Sequence, residues 1–329
     1  MKNISIWSED IEKGEVNSLD ADLDVDVAIV GGGITGLSVA YYLSDVGYNI
    51  CLLESNRIGE GITSRTTGKI TYLQEDLLLK IKDIYSVDMA KKYYESQKLA
   101  IKEINRIMSK NSISCDLKKS DSYIFAESKK DIKKIKELKE LLEEFGERIE
   151  SVYSLPDDTK VKYGIKGSGT YVFNAIKYLK GLKNAVEGKI KICEKTKVEN
   201  IIKNDGGYIL RANGYEVRAR KVIVCTHYPF FLFPYLMPLK CSLEKSYVAL
   251  YKTESDIEYN AITICKPTIS LRYVEGENKR YKLILAKSHN ICFDNDDEKH
   301  FSKIINIRKS PDYLWSNIDI ITKDYMPYV

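Results

Sequence analysis

Residues 26–36 read Asp-Val-Ala-Ile-Val-Gly-Gly-Gly-Ile-Thr-Gly, an apolar run that leads straight into a glycine-rich turn. The glycines at 31, 33 and 36 have the spacing G-x-G-x-x-G. In this pattern Gly31 permits the tight turn, Gly33 lets the backbone approach a pyrophosphate, and Gly36 lets the following helix pack against the strand. A helix that begins near Ile34 directs free N–H groups and its positive dipole end at the phosphates. The pattern predicts a dinucleotide site.

The surrounding sequence supports this interpretation. Residues 27–30 are a short apolar run typical of a buried parallel strand, and residues 37–43 continue as a helix that ends at Gly47. Residues 48–53 predict a second strand, which Glu54 closes. A carboxylate at this position accepts hydrogen bonds from both ribose hydroxyls of an adenosine and repels a 2′-phosphate, so NADP is disfavoured.

The stretch after Glu54 gives a more specific indication. Residues 57–69 read Arg-Ile-Gly-Glu-Gly-Ile-Thr-Ser-Arg-Thr-Thr-Gly-Lys. This stretch resembles the second phosphate-side motif of the D-amino acid oxidase (DAO-type) family of FAD-dependent oxidoreductases. Residues 5–7, 65–71 and 225–229 resemble a bacterial subgroup of that family that often carries a C-terminal Rieske iron–sulfur domain. The likeness is dense in residues 24–71 and thin in 85–160.

The resemblance implies FAD as the cofactor. It also implies an α/β fold, in which a Rossmann-like FAD-binding domain holds an inserted α+β substrate domain of antiparallel sheet and helices. The predicted FAD-binding domain is discontinuous and comprises residues 1–80, 150–228 and 312–329, and the predicted substrate domain comprises 81–149 and 229–311. The predicted cofactor-binding residues are Gly31, Gly33, Ile34, Thr35, Gly36, Glu54, Ser55, Gly61, Thr63, Thr66, Thr67, Val198 and Thr226.

The implied reaction is oxidation of a C–N bond in an amino acid or related amine, by hydride transfer to flavin N5. Because the cofactor carries the redox chemistry, no nucleophile or acid–base pair is required of the protein. An amino acid needs a cation for its carboxylate, and Arg272 in a predicted strand is the candidate, with an ion pair on the outer sheet face as the alternative. Tyr247 and His289 are further candidates for anchoring the substrate. Lys69 is predicted to reach either the flavin edge or a phosphate.

Composition indicates a soluble enzyme and a cytoplasmic location. The 51 basic and 47 acidic residues nearly balance, which gives no electrostatic argument for nucleic acid. The chain has neither a signal-peptide pattern nor a run of about 18 apolar residues. Its seven cysteines are scattered and suit reduced thiols, and no metal site is expected. A small-molecule partner is expected, and a homo-oligomer or an electron-accepting partner is left open.

Two alternatives to this interpretation stay open, and the first comes from the C-terminal sequence. Residues 324–329 match a motif that in the family runs on into a strand and a glycine-rich helix facing the flavin, so the fold is expected to be truncated at its C-terminus. The first alternative is therefore a non-catalytic remnant that binds a dinucleotide weakly. The second is an NAD-dependent dehydrogenase, which the shared glycine fingerprint alone supports.

The remaining pattern predicts several elements outside the glycine-rich motif. Amphipathic helices are expected over 88–108, 129–145 and 172–187, the last with Asn174 as its N-cap. A hairpin is expected at 208–219, because Asn213-Gly214 is a strong turn signal. An antiparallel sheet is predicted from four apolar runs, at 247–251, 261–265, 268–274 and 281–287.

Overall fold

The computed structural model describes residues 1–228, 236–277, 279–288, 296–305 and 309–327. The strands are β1 Leu23–Val30, β2 Ile50–Leu53, β3 Lys69–Ile70, β4 Lys118–Lys119, β5 Ser122–Ala126, β6 Glu150–Ser154, β7 Lys160–Gly167, β8 Tyr171–Val172, β9 Lys191–Cys193, β10 Val198–Asn204, β11 Gly207–Ala212, β12 Tyr215–Val224, β13 Cys241–Thr253, β14 Asn260–Thr263, β15 Thr268–Glu275, β16 Arg280–Ser288 and β17 Tyr313–Thr322. The α-helices are α1 Ile34–Leu43, α2 Leu77–Ile84, α3 Val87–Lys110, α4 Lys129–Glu144, α5 Ala175–Val186 and α6 Asp297–Ile305. Short 3-10 helices span Ile6–Asp10, Ile62–Arg65 and Met237–Lys240.

A six-stranded sheet carries the glycine-rich turn. Its order is β10-β11-β12-β1-β2-β9, with parallel pairing from β12 through β1 and β2 to β9. Along β1, Val27 and Ile29 belong to the core cluster that also contains residues of α1 and α5. Ala28 and Val30 belong to the cluster on the other face. Burial on both faces explains why this strand has a continuous apolar sequence.

Two glycines bring α1 close to β1. Gly31 has a φ of +110°, and a Cβ there would lie 2.8 Å from the Cys225 carbonyl oxygen. A Cβ on Gly36 would lie only 1.9 Å from the carbonyl oxygen of Gly31. The first and third glycines therefore perform the turn and packing roles predicted from their spacing.

An eight-stranded sheet forms the second layer, in the order β17-β13-β16-β15-β14-β5-β7-β6. The four predicted runs are β13 to β16, and their neighbouring pairs are antiparallel, which confirms the predicted sheet. The β5–β14 pair is parallel and joins two distant parts of the chain. The mixed α/β architecture agrees with the predicted fold class.

Two segments of the predicted FAD-binding domain pair with strands of the predicted substrate domain, and the division into domains stays a prediction. Strands β6 and β7, within predicted FAD-binding residues 150–228, pair in the eight-stranded sheet. Strand β17, within the predicted 312–329 segment, pairs there with β13. The resemblance to the family places both segments in the FAD-binding domain. Their own sequences have no pattern that distinguishes one sheet from the other.

The predicted helices and hairpin are confirmed. The side chain of Asn174 caps α5 by accepting hydrogen bonds from the backbone N–H groups of Ile176 and Lys177, both at 3.1 Å. Ser86 caps α3 by accepting a hydrogen bond from the Met89 N–H at 3.1 Å. Asn213 and Gly214 adopt positive φ values of 53° and 84° between β11 and β12. In the described part of the chain, no helix is both long and apolar enough to cross a membrane.

Candidate functional site

A cleft of about 1050 Å³ opens where β1 and β2 end, and we call it the glycine cleft. The glycine-rich turn, the segment after β2, the start of β10 and the segment after β12 line it. Ten of the predicted cofactor-binding residues contribute to its surface: Gly31, Gly33, Ile34, Thr35, Glu54, Ser55, Gly61, Thr63, Val198 and Thr226. Their contact with a cofactor stays a prediction.

The start of α1 contributes to the lining of this cleft. Gly33 is the N-cap residue and has no side chain of its own to accept a hydrogen bond from the first turn. The backbone N–H of Ile34 donates to Thr63 Oγ1 at 3.1 Å, and a Cβ on Gly33 would lie 3.2 Å from that oxygen. A glycine here leaves a backbone cradle open beside a helix N-terminus, which fits the pyrophosphate of a dinucleotide.

Glu54 lines the glycine cleft directly after β2, and its contact with a ribose stays a prediction. Its carboxylate accepts hydrogen bonds from the backbone N–H of Gly32 at 2.6 Å and of Asn56 at 2.8 Å. It also accepts one from Ser55 Oγ at 3.1 Å. These contacts hold the carboxylate beside the turn, and its place in the cleft lining leaves it accessible to a ribose.

Three predicted cofactor residues lie elsewhere. Gly36 lies behind the cleft, where it packs α1 against β1. Thr66 lies outside the cleft lining, and its Oγ1 accepts a hydrogen bond from the Gly68 N–H at 3.2 Å. Thr67 lines a different cavity. The cleft also includes residues that sequence reasoning missed, such as Ile320 and Pro327, because they come from a part of the chain about 300 residues away from the glycine-rich turn.

The second cavity, of about 850 Å³, lies against the eight-stranded sheet, and we call it the sheet cavity. Segments 67–80 and 130–134, strands β13 to β17 and Tyr325 contribute to its lining. Its described lining carries both signs of charge. The lysines are Lys69, Lys80, Lys130, Lys134, Lys266 and Lys287, and the carboxylates are Glu75, Asp76, Asp131, Glu244 and Asp319.

One stretch of chain passes from the first cavity to the second. Gly61, Ile62 and Thr63 line the glycine cleft, and Thr67 and Lys69 line the sheet cavity. At the other end of the chain, Ile320 lines the cleft while its neighbours Asp319 and Ile321 line the sheet cavity. The same two segments thus form walls of both spaces, which makes the two cavities adjacent.

Lys69 extends toward the sheet cavity and is absent from the lining of the glycine cleft. Its amine donates to the carbonyl oxygen of Ala261 at 3.2 Å and to Ser270 Oγ. Burial, reinforced by the nearby Arg272 charge, lowers the pKa of Lys69 to about 7. Of its two predicted roles, the phosphate contact is disfavoured because the amine is directed toward the sheet.

Arg272 requires a correction. The side chain is 4% exposed, and its Nη1 donates to the carbonyl oxygens of Thr67, Gly68 and Phe173. Its guanidinium also lies over the ring of Trp7, 5.5 Å from the centroid. Because backbone groups use these donors and the residue is absent from the sheet-cavity lining, it holds segment 67–68 in place instead of anchoring a carboxylate.

Tyr247 requires a similar correction. Its ring is 1% exposed and stacks on His300 of α6, with the ring centroids 5.7 Å apart. Along β13, Ser242 and Glu244 line the sheet cavity, whereas Tyr247 has the opposite parity and faces α6. It therefore does not anchor a substrate in this cavity. The third candidate, His289, lies outside the described residues.

Within the described ranges, no group of three or more His, Cys, Asp or Glu residues could hold a metal ion. The six described cysteines, which exclude Cys292, are free. The described site combines a glycine-rich cleft with an adjacent charged cavity.

Comparison with known proteins places this geometry in context. Residues 26–302 match the family model described as FAD dependent oxidoreductase. Over 98% of its length, the chain is 26% identical to YhfW of Bacillus subtilis (strain 168), a protein that is described as a Rieske 2Fe-2S iron-sulfur protein. The chain spans 65% of that relative's length.

Solved structures share the fold at low sequence identity. Glycine oxidase from Geobacillus kaustophilus has a TM-score of 0.70 at 14% identity, with 93% of this chain and 85% of that chain covered. The FAD-bound L-alpha-glycerophosphate oxidase from Mycoplasma pneumoniae has a TM-score of 0.66 at 16% identity, with 91% and 84% covered. Both likenesses concern the fold alone.

Proposed function

Because the chain belongs to the family of FAD dependent oxidoreductases, we propose that it oxidises a C–N bond of an amino acid or related amine. The observation that carries this proposal is the adjacency of the glycine cleft and the sheet cavity, which share residues 61–69 and 319–321 as walls. FAD is the cofactor, and when bound it supplies the acceptor for two electrons. The protein's own contribution is binding, orientation and local charge.

The glycine cleft offers groups suited to each end of the nucleotide half. We assign the pyrophosphate to the backbone at Gly33 and Ile34, since the N-terminus of a helix attracts an anion. We assign the adenosine ribose to Glu54, whose carboxylate lies in the cleft and accepts hydrogen bonds. Val198 at the start of β10 and Thr226 after β12 complete this assignment from the opposite wall.

The charge of the sheet cavity favours an amino acid over a neutral substrate. Lysines and carboxylates both contribute to its described lining. A zwitterion carries one charge of each sign, so it can match such a surface without leaving a charge unpaired.

The proposal is tested by anaerobic reduction of the FAD-loaded chain. Amino acids, N-methylated amino acids and diamines are mixed with the protein, and bleaching of the flavin absorbance is recorded. At least one amine should bleach the flavin, with one carbonyl product formed per flavin reduced. The 2-hydroxy acid of the same carbon skeleton is the matched control and should leave the flavin oxidised.

Two outcomes would contradict the proposal. Bleaching by 2-hydroxy acids or glycerol phosphate, with no response to any amine, would indicate oxidation of a C–O bond. Bleaching by NADH alone would indicate a reductase.

A further inference from the structure

Lys69 is the starting point of this inference. Its amine lies in the sheet cavity between β14 and β15, where Ala261 supplies a carbonyl oxygen and Ser270 a hydroxyl. An ammonium group has three donors. Within the described ranges, these two contacts are the hydrogen bonds made by the Lys69 amine, which leaves one donor for a ligand in the cavity.

Two other lysines of the sheet cavity have carboxylate partners. Lys287 lies 3.4 Å from Glu75 and 3.5 Å from Glu244. Lys80 lies 2.7 Å from Asp76. In the described part of the structure, no carboxylate lies within 4.0 Å of the Lys69 amine.

A second cation lies behind Lys69. Arg272 is buried, and its charge adds to the effect of burial in lowering the pKa of Lys69, while the charge of Glu75 partly offsets this effect. The other element in contact with the amine, β14, contributes a carbonyl group there and no charge. The cavity wall at Lys69 is therefore electropositive and lacks a protein counter-ion, and an anionic ligand group would supply one.

We propose that Lys69 is the anion-binding residue of the sheet cavity and selects substrates that carry a carboxylate. This inference rests on the proposed function, because the cavity must be the substrate site for the selection to matter. The contacts to Ala261 and Ser270 hold the amine at the sheet, and Lys69 lines the sheet cavity and not the glycine cleft. The position of Lys69 therefore favours a substrate group over a phosphate.

Protonation of the Lys69 amine should be linked to binding of the carboxylate. A carboxylate stabilises the ammonium form and so raises the pKa of Lys69 from about 7. Below pH 7 the amine is already protonated and affinity should be constant. Above pH 7 each bound carboxylate should take up close to one proton, and affinity should fall about tenfold per pH unit.

The experiment is calorimetric titration of the FAD-loaded chain with propionate, in two buffers of different ionisation enthalpy, from pH 6 to pH 9. Propionamide is the neutral control ligand and should bind without proton uptake. Lys69→Met should lower propionate affinity at least tenfold at pH 7 and abolish the proton uptake. Lys69→Arg, which keeps the charge, should retain affinity within about threefold.

Lys266→Met is the matched protein control. Lys266 also lies at the cavity surface but is exposed, so its loss should change propionate affinity less than twofold. The melting temperature and FAD content of each variant show whether it is folded, and Lys69→Gln is a second neutral variant.

Unchanged propionate affinity in folded Lys69→Met or Lys69→Gln would overturn the inference. If that variant also shifted the flavin absorption spectrum, Lys69 would act on the flavin instead. Because the titration measures binding without turnover, it tests the role of Lys69 separately from the proposed oxidation. Propionate binding that depends on Lys69, without flavin reduction by any amine, would contradict only the proposed function.

Discussion

At the scale of single residues, Arg272 joins three parts of the chain. Its donors reach the carbonyl oxygens of Thr67, Gly68 and Phe173, and its guanidinium covers Trp7. Even the Cα of Gly68 is enclosed, because a Cβ there would lie 2.6 Å from Arg272 Nη1. The side chain thus fixes the loop that leads into Lys69.

Arg272→Met should therefore destabilise the fold. The Gly68 carbonyl keeps the Phe173 N–H as a donor at 3.1 Å, whereas the Thr67 and Phe173 carbonyls lose their partner. At about 1–3 kcal/mol for each carbonyl left without a donor, we expect a total loss of about 2–6 kcal/mol in the free energy of unfolding. Urea denaturation of the apoprotein measures it. Arg220→Met is the control, since Arg220 is 78% exposed in its ion pair with Asp26 and should contribute little. Unchanged stability in Arg272→Met, with weakened substrate binding, would restore the anchoring role.

The error at Arg272 has a physical origin. Sequence placed the arginine correctly within a strand of the sheet, but it could not indicate which loops would cover that strand. Asn174, in contrast, was predicted correctly because an N-cap depends on the residues immediately after it. Contacts between distant segments are what the sequence could not reveal.

At the scale of elements, the contact between α1 and β1 determines where the helix begins. Gly36→Ala would place a methyl group 1.9 Å from the Gly31 carbonyl oxygen, so the helix must move. We expect a loss of about 1–3 kcal/mol in stability, as for other overpacked sites. FAD affinity should fall at least tenfold, because the displaced helix start no longer faces the cradle.

Gly61→Ala is the matched stability control for this substitution. No atom lies within 4 Å of a Cβ at Gly61, so the added methyl group meets no packing contact, although its ψ of −141° lies outside the region that alanine prefers. The melting temperature of Gly61→Ala without FAD should therefore fall less than that of Gly36→Ala. A melting temperature of Gly36→Ala equal to that of Gly61→Ala would contradict the packing role of Gly36.

Elements with strong local patterns were predictable, and others were not. The β11–β12 hairpin has an Asn-Gly turn, and the strands β13 to β16 have extended apolar runs. Helices α2 and α6 are only eight and nine residues long, which gives too few turns for a clear period. The assignment of β6, β7 and β17 to the large sheet depends on long-range pairing.

At the scale of the whole molecule, two sheets place two cavities side by side. The six-stranded sheet provides the glycine cleft, and the eight-stranded sheet provides the charged cavity. The glycine fingerprint and Glu54 made the first predictable. The second is built from segments of the chain separated by as many as about 250 residues, so only its location in a second domain could be expected.

The measurement that tests this account most directly is a titration of the purified chain with FAD, followed by quenching of the flavin fluorescence and by the melting temperature. We predict saturable binding of one FAD per chain and a melting temperature that rises with FAD concentration, since a ligand of the folded state adds about 2.7 kcal/mol of stability at one hundred times its Kd. Protein that stays colourless in excess FAD, with an unchanged melting temperature, would contradict the central claim that the glycine cleft is a cofactor site.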